Sequence, residues 1–189
     1  MTTVETTPPI FETSKATVSP FTKADFSYLQ ALHQHPDVYT NTFSGFSDDH
    51  RVQGELEEYM DEYQRLGISQ LKILSKTETP QFMGRVGLQF RTFHPKFPPD
   101  YEIRIALLPA FWGGGIATEL IRATLDYSFN ELKLERIILG HFQSNLKSQT
   151  IAKKMGFQQI SCQETPKEPV LHYELFKADY LSLKEKQNV

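Results

Sequence analysis

Between residues 101 and 130 the apolar and polar positions change period once, and the rest of the chain is arranged about that change. Residues 103–108 form a short apolar run suited to a buried strand. Pro109 and then Gly113, Gly114 and Gly115 mark a tight turn. Beyond it Ile116, Ala117, Leu120, Ile121, Leu125 and Phe129 recur at helical spacing, with Glu119, Arg122, Asp126 and Asn130 on the other side. Strand, glycine turn and helix in that order put bare backbone N–H groups at a helix N-terminus. Such a place favours anions, phosphate above all.

The flanking segments supply further elements. Residues 11–20 read as a strand ended by Pro20, and residues 21–38 as a helix capped by Thr22 with Asp25 three residues on. Pro36 ends or breaks that helix. After a loop with Phe43 and Phe46, a second helix is predicted from Ser47, with Asp48 and Asp49 in its first turn. Leu56, Tyr59, Met60, Tyr63 and Leu66 form its apolar face, and Gly67 stops it. Strands follow at 69–76 and 82–91, where Gly84 and Gly87 suggest a bulge or a close backbone approach. Residues 93–99 are a proline-rich loop and a candidate substrate rim. Residues 136–142 are a strand, and a helix then runs to Met155. Gly156 suits the left-handed position after it and Phe157 the hydrophobic contact beyond. Two last strands are expected at 158–163 and 170–176. Residues 1–10 read as a disordered lead-in, 11–180 as one domain and 181–189 as a tail.

Composition narrows the class of protein. The length of 189 residues suits one domain with a sizeable core. A formal charge of −3 does not suggest a nucleic-acid binder. A single cysteine, Cys162, excludes an intrachain disulfide and suits a reducing compartment. No apolar run approaches the roughly 20 residues of a membrane span. The first residues lack a basic-then-apolar signal pattern, so a cytoplasmic chain is expected. The acidic residues Glu55, Glu57, Glu58, Asp61 and Glu62 read as the solvated face of the second helix, or as an attraction for a basic partner.

The glycine turn is neither of two familiar phosphate motifs. No Gly-Lys-Ser/Thr follows it, which excludes a P-loop. Thr118 stands where the third glycine of G-x-G-x-x-G belongs. The stretch Trp112-Gly113-Gly114-Gly115-Ile116-Ala117 instead resembles the acetyl-CoA signature Q/R-x-x-G-x-G/A of the GNAT superfamily of N-acetyltransferases. The longer string from Trp112 to Glu119 is similar to W-G-x-G-x-A-T-E of the ribosomal-protein-alanine acetyltransferase branch. Asn145, Ser148, Gly156 and Phe157 resemble a second superfamily motif, N-x-x-S/A followed by G-F. Of the branch's N-terminal pattern T-x-R-L-x-L-R-P-F-T-x-x-D, Pro20, Phe21, Thr22 and Asp25 match and the arginines are absent.

That resemblance implies an α+β fold: a twisted, mixed sheet, mostly antiparallel, with one splayed parallel pair and flanking helices. It implies an acetyl-CoA-dependent N-acetyltransferase without a metal. The backbone of Trp112, Gly113, Gly114, Gly115, Ile116, Ala117 and Thr118 would hold the cofactor's phosphates. The strand edge at Ala106, Leu107 and Leu108 would pair with the pantetheine amides, and Asn145 would hydrogen-bond the same arm. Asn145 can equally be a helix cap, as can Ser144.

Two residues compete as the base. Glu102 begins the central strand, where members of the family often carry a glutamate that acts through water; burial among apolar neighbours would raise its pKa. It can equally face solvent or pair with Arg104. His141 is the rival, since an ordinary histidine pKa of about 6.5 suits proton transfer. Many members place a tyrosine seven residues after the asparagine as the acid for the thiolate; here Ala152 stands there. Ser148 is the expected substitute, with Tyr173 as an alternative. The expected acceptor is a ribosomal or other protein N-terminal α-amine. A small amine (polyamine, amino acid or antibiotic) is the alternative, and so is a CoA-binding sensor without turnover. The chain is expected to be a monomer or a homodimer.

Overall fold

The computed structural model describes residues 8–43 and 45–187. The predicted lead-in at 1–10 lies outside the described residues as far as residue 7. Ile10 already donates a backbone hydrogen bond to Val18, 2.8 Å.

The segment expected as one strand at 11–20 is a hairpin of β1 (Phe11–Glu12) and β2 (Ala16–Pro20). Thr13 closes its turn: its N–H donates to the Ala16 carbonyl, 2.8 Å, and its hydroxyl accepts from Ala16 N–H, 3.1 Å. The predicted helix at 21–38 is three pieces. A 3-10 turn at Lys23–Asp25 leads into α1 (Phe26–His33), and α2 (Pro36–Tyr39) restarts at the proline. Proline tolerates the first helical position but not the interior, which is why the break falls there. The long helix α3 (Asp49–Leu66) is capped by Asp48, whose carboxylate accepts from Arg51 N–H, 2.9 Å. The expected start, Ser47, is fully buried instead. An ionised carboxylate is the better partner for the positive end of a helix. Gly67 ends α3 at φ +66° as predicted, whereas Leu66 is exposed and does not extend the buried face.

The remaining elements are β3 (Gln70–Ser75), β4 (Phe82–Arg91), β5 (Asp100–Leu107), α4 (Ile116–Asn130), β6 (Arg136–Phe142), α5 (Leu146–Met155), β7 (Gln158–Gln163), β8 (Val170–Phe176) and α6 (Lys177–Gln187). Among the described residues eight strands form one mixed sheet in the order β1-β2-β3-β4-β5-β6-β8-β7. The β5–β6 pair is parallel, with Glu102 opposite Ile138. The pairs β1–β2, β2–β3, β3–β4, β6–β8 and β7–β8 are antiparallel. The expected mixed, mostly antiparallel sheet flanked by helices is therefore present. No helix among the described residues is long and apolar enough to cross a membrane.

The chain forms two compact units. The first contains the described residues up to Gly87 together with Ile105–Ala123. Here Val18, Ile73, Val86, Leu107 and Leu120 pack in one buried cluster, and Leu29, Leu32 and Leu56 of α1 and α3 in another. The predicted close approaches are real. A Cβ on Gly84 would lie 2.1 Å from the Ala106 carbonyl oxygen, and one on Gly87 2.0 Å from that of Ser69. Two polar networks lie within this unit. Lys72 Nζ meets the Asp25 carboxylate at 2.7 Å, with both side chains almost fully buried; Asp25 also accepts from the Thr22 N–H and hydroxyl. On α1 and α3, His33 Nδ1 lies 2.5 Å from Glu55, and Arg85 Nε of β4 donates to His33 Nε2, 3.1 Å.

The second unit contains Leu88–Arg104 and the described residues from Thr124 onward. Leu125, Phe129, Ile137, Ile138, Met155 and Leu175 are buried in it. Helix α6 runs on into the segment expected as a tail, as far as Gln187. Tyr180 anchors it, its ring 5.4 Å from that of Phe129 and its hydroxyl donating to Asp126, 3.1 Å.

The Lys72–Asp25 pair gives a stability prediction. Lys72→Met leaves a buried carboxylate without its cation, which should cost about 3 kcal/mol. Urea unfolding measures this; a loss under about 1 kcal/mol would mean that water screens the pair.

Candidate active site

In the first unit the glycine turn is set by backbone conformation. Gly113, Gly114 and Gly115 have φ of +85°, +56° and +77°, three left-handed residues in a row. Residues with a Cβ rarely adopt such angles, and here no atom lies within 4 Å of where a Cβ on Gly113 or Gly115 would stand. The turn delivers the chain into α4, where Glu119 N–H donates to the Gly115 carbonyl, 3.0 Å. The first amides of a helix have no acceptor within it. A 15-residue helix entered through an open, Cβ-free turn is a suitable cradle for a phosphate group.

Neighbouring groups hold the cradle. Trp112 Nε1 donates to the Leu107 carbonyl, 2.8 Å, tying the end of β5 to the entry of the turn. Leu108 N–H donates to the Met83 carbonyl, 2.9 Å. Two backbone groups of the expected pantetheine edge at Ala106, Leu107 and Leu108 thus already have protein partners. The β1–β2 turn grips the other side. Ser14 N–H donates to Glu119 Oε1, 2.5 Å, and Lys15 Nζ to the Gly114 carbonyl, 2.8 Å. The Ser14 hydrogen bond, with Thr13 and Lys15 nearby, holds the Glu119 carboxyl below the usual range. Neither Ser14 nor Lys15 was singled out from sequence.

The second unit holds the other predicted residues. Glu102 on β5 is 2% exposed. Its surroundings are not purely apolar: Arg91 Nε lies 3.4 Å and Arg104 Nε 4.0 Å from its Oε2. Burial acts against the charge there and the guanidiniums in its favour. His141 on β6 is 4% exposed, and its ring stacks on that of Tyr173 with centroids 5.1 Å apart. Its Nδ1 lies 2.8 Å from the Phe142 carbonyl and so carries the proton, which leaves Nε2 a bare acceptor. Nε2 is buried without a hydrogen-bond partner among the described residues. Burial lowers the His141 pKa below the ordinary 6.5.

Asn145 caps α5, its side-chain oxygen accepting from Ser148 N–H, 3.0 Å. Ser144 does not compete for this place because Glu168 accepts from its N–H and hydroxyl, 3.0 and 2.9 Å. The cap leaves the Asn145 amide nitrogen available as a donor, and Ser148, three residues on, is half-buried. In the 93–99 loop Phe93 and His94 are buried, while Pro95, Lys96, Pro98 and Pro99 are exposed. Their rings lie 5.5 and 5.6 Å from that of His172, whose Nδ1 is 3.1 Å from the Ser161 hydroxyl. Burial, then the neighbouring His94 and Arg91, lowers the His172 pKa to about 4.

A model of the acetyltransferase (GNAT) domain matches residues 15–158. The chain belongs to the GNAT acetyltransferase family. It is 49% identical over 45 residues to YjcK of Bacillus subtilis, a probable N-acetyltransferase; the match covers 24% of this chain and 25% of that one. The chain thus spans a quarter of that relative's length. In fold it is similar to an acetyltransferase from Agrobacterium tumefaciens, with a TM-score of 0.75 and 22% identity, over 94% of this chain and 99% of that one. It is also similar to spermidine N-acetyltransferase from Vibrio cholerae, solved with CoA and spermine: TM-score 0.72, 20% identity, 89% and 99% covered.

The two depressed histidines make stability depend on acid. Folded, His141 and His172 bind protons less readily than in the unfolded chain, so their contribution is complete above about pH 6.5. It is lost as pH falls toward about 4, the folded value of His172. The denaturant midpoint should therefore drop between pH 7 and pH 4.5, and the drop should be smaller in His172→Gln. An equal drop in both proteins would assign the acid sensitivity to other groups.

Proposed function

We propose that the protein is an acyltransferase that moves the acetyl group of acetyl-CoA to a primary amine, and that this amine is the N-terminal α-amine of a protein or peptide. The observation that carries this reading is the run of three left-handed glycines at the head of α4, within the string Trp112 to Glu119. Acetyl-CoA, when bound, supplies the acetyl thioester and a thiol leaving group. The amides of Gly113 to Thr118 would hold its phosphates, and the open space at Gly113 and Gly115 fits that role. The free amide nitrogen of Asn145 would donate to the pantetheine arm. Glu102 would take the proton from the incoming amine through water. The Ser148 hydroxyl would donate a hydrogen bond to the departing sulfur, a lesser task than protonation for a thiol of pKa about 8.5. No metal enters these steps.

The acceptor follows from the modest acid–base equipment. An α-amine of pKa about 7.7–8.0 is partly neutral near pH 7, whereas a lysine amine near 10.4 needs a few hundredfold more help. The similarity to the ribosomal-protein-alanine acetyltransferase branch points the same way. A small polyamine is the second reading, supported by the fold likeness to the spermidine enzyme. A cytoplasmic setting fits a chain with one cysteine.

A peptide with a free N-terminus and an internal lysine, incubated with acetyl-CoA and the protein, should gain one acetyl group on the α-amine by mass spectrometry. Acetylation of lysine alone, or turnover with spermidine only, would overturn the acceptor class. CoA binding with no turnover on any amine would favour a sensor.

The base has its own test. Glu102→Gln should lower kcat about a hundredfold and remove the acid limb of the rate profile, with little change in acetyl-CoA affinity. The bare Nε2 of His141 is the observation that favours the rival. If His141→Asn removes that limb and Glu102→Gln leaves it, the base is the histidine.

A further inference from the structure

The β1–β2 turn brings a cation to the glycine turn that the phosphate-cradle reading did not include. Lys15 is exposed, and its Nζ donates to the Gly114 carbonyl at 2.8 Å. A Cβ on Gly114 would stand 4.0 Å from that ammonium. The lysine does not reach there by chance rotation alone, because its backbone is fixed on both sides. Its N–H donates to the Thr13 hydroxyl, 3.3 Å, and its carbonyl accepts from Lys76 N–H, 2.9 Å. The adjacent Ser14 N–H binds Glu119 in the first turn of α4. One three-residue turn thus grasps the glycine turn through a side chain and the helix start through its backbone.

Charge gives this arrangement its meaning. Glu119 is held ionised four residues after Gly115, where a carboxylate opposes the approach of a phosphate. Lys15 is the cation that acts on Glu119. An ammonium carries three donors, and the Gly114 carbonyl occupies one. Two remain for an anion seated on the amides of Gly113 to Thr118. We infer that Lys15 is a second ligand of the acetyl-CoA pyrophosphate, offsetting the Glu119 charge beside the backbone cradle. This inference rests on the acetyl-CoA reading proposed above.

Titration calorimetry with CoA, dephospho-CoA and pantetheine separates the possibilities, with thermal unfolding as a check on the fold. Wild type should bind CoA and dephospho-CoA much more tightly than pantetheine. Lys15→Ala and Lys15→Gln should each weaken CoA and dephospho-CoA by about five- to tenfold and leave pantetheine unchanged. Lys15→Arg should restore binding. Loss in Lys15→Ala but not in Lys15→Gln, which keeps a donor for Gly114, would make Lys15 a support of the turn and overturn the inference. Weakening of CoA alone would assign the lysine to the 3′-phosphate and also overturn it. Unchanged affinity in all variants, with wild type binding CoA, sinks this inference only. Absence of CoA binding by wild type sinks the acetyl-CoA reading with it.

Discussion

A helix can present its first amides to a ligand only if the chain before it turns away without filling the space in front. That constraint falls on Gly113, Gly114 and Gly115, which all hold positive φ. Around this turn the first unit is tied down from two directions. Trp112 returns to the end of β5, and Ser14 and Lys15 reach across from the first hairpin. Gly84, on β4, serves a different end. With no side chain it lets the Ala106 carbonyl approach to where a Cβ would collide. Glycine is thus used for close approach at Gly84 and for positive φ at Gly113, Gly114 and Gly115, and the surrounding hydrogen bonds remove the freedom that it brings.

The second unit solves a different problem, that of keeping titratable groups in a dry interior. Glu102 has guanidiniums beside it, whereas His141 and His172 are kept neutral. The two histidines differ in what is left over. His172 has Ser161 at Nδ1 and a backbone bond to Phe93, so its ring works as a link between β8 and the 93–99 loop. His141 spends one nitrogen on Phe142, and its other has no hydrogen-bond partner among the described residues. A buried acceptor with no partner costs stability, commonly about 1–3 kcal/mol.

Much of this was legible in the sequence where local pattern and covalent preference agree. The bounds of α4, β6, β7 and β8 follow from periodicity, and Gly67 and Gly156 stop their helices at positive φ as their positions suggest. The hairpin at the N-terminus was not legible. Residues 11–20 hold no glycine or proline before Pro20 to mark a turn, and the bend rests on the Thr13 hydroxyl. Helix α6 was missed because its sequence is polar, and its docking rests largely on Tyr180 and on Lys184, which meets Asp126 at 2.6 Å. Ser47 and Asp48 look equivalent as caps in one dimension; burial of one and not the other decides between them. The arginines beside Glu102 illustrate the same limit. Arg104 is two residues away on the strand and was foreseen, but Arg91 comes from β4 and is visible only once the strands are placed.

Lys15 shows how a departure from a family pattern can hide a retained charge. Counting back from Pro20 in the branch's N-terminal pattern, Lys15 stands where the first arginine belongs. Read as identities, the arginines are missing; read as charges, one cation is kept and the other, at Ser19, is lost. The structure separates the two positions physically. Ser19 lies buried on β2, where a guanidinium would need a partner, while Lys15 sits at the exposed turn beside an ionised glutamate. An exposed cation needs only its charge and reach, so lysine can stand in for arginine there. A guanidinium buried at Ser19 would need acceptors matched to its planar fork.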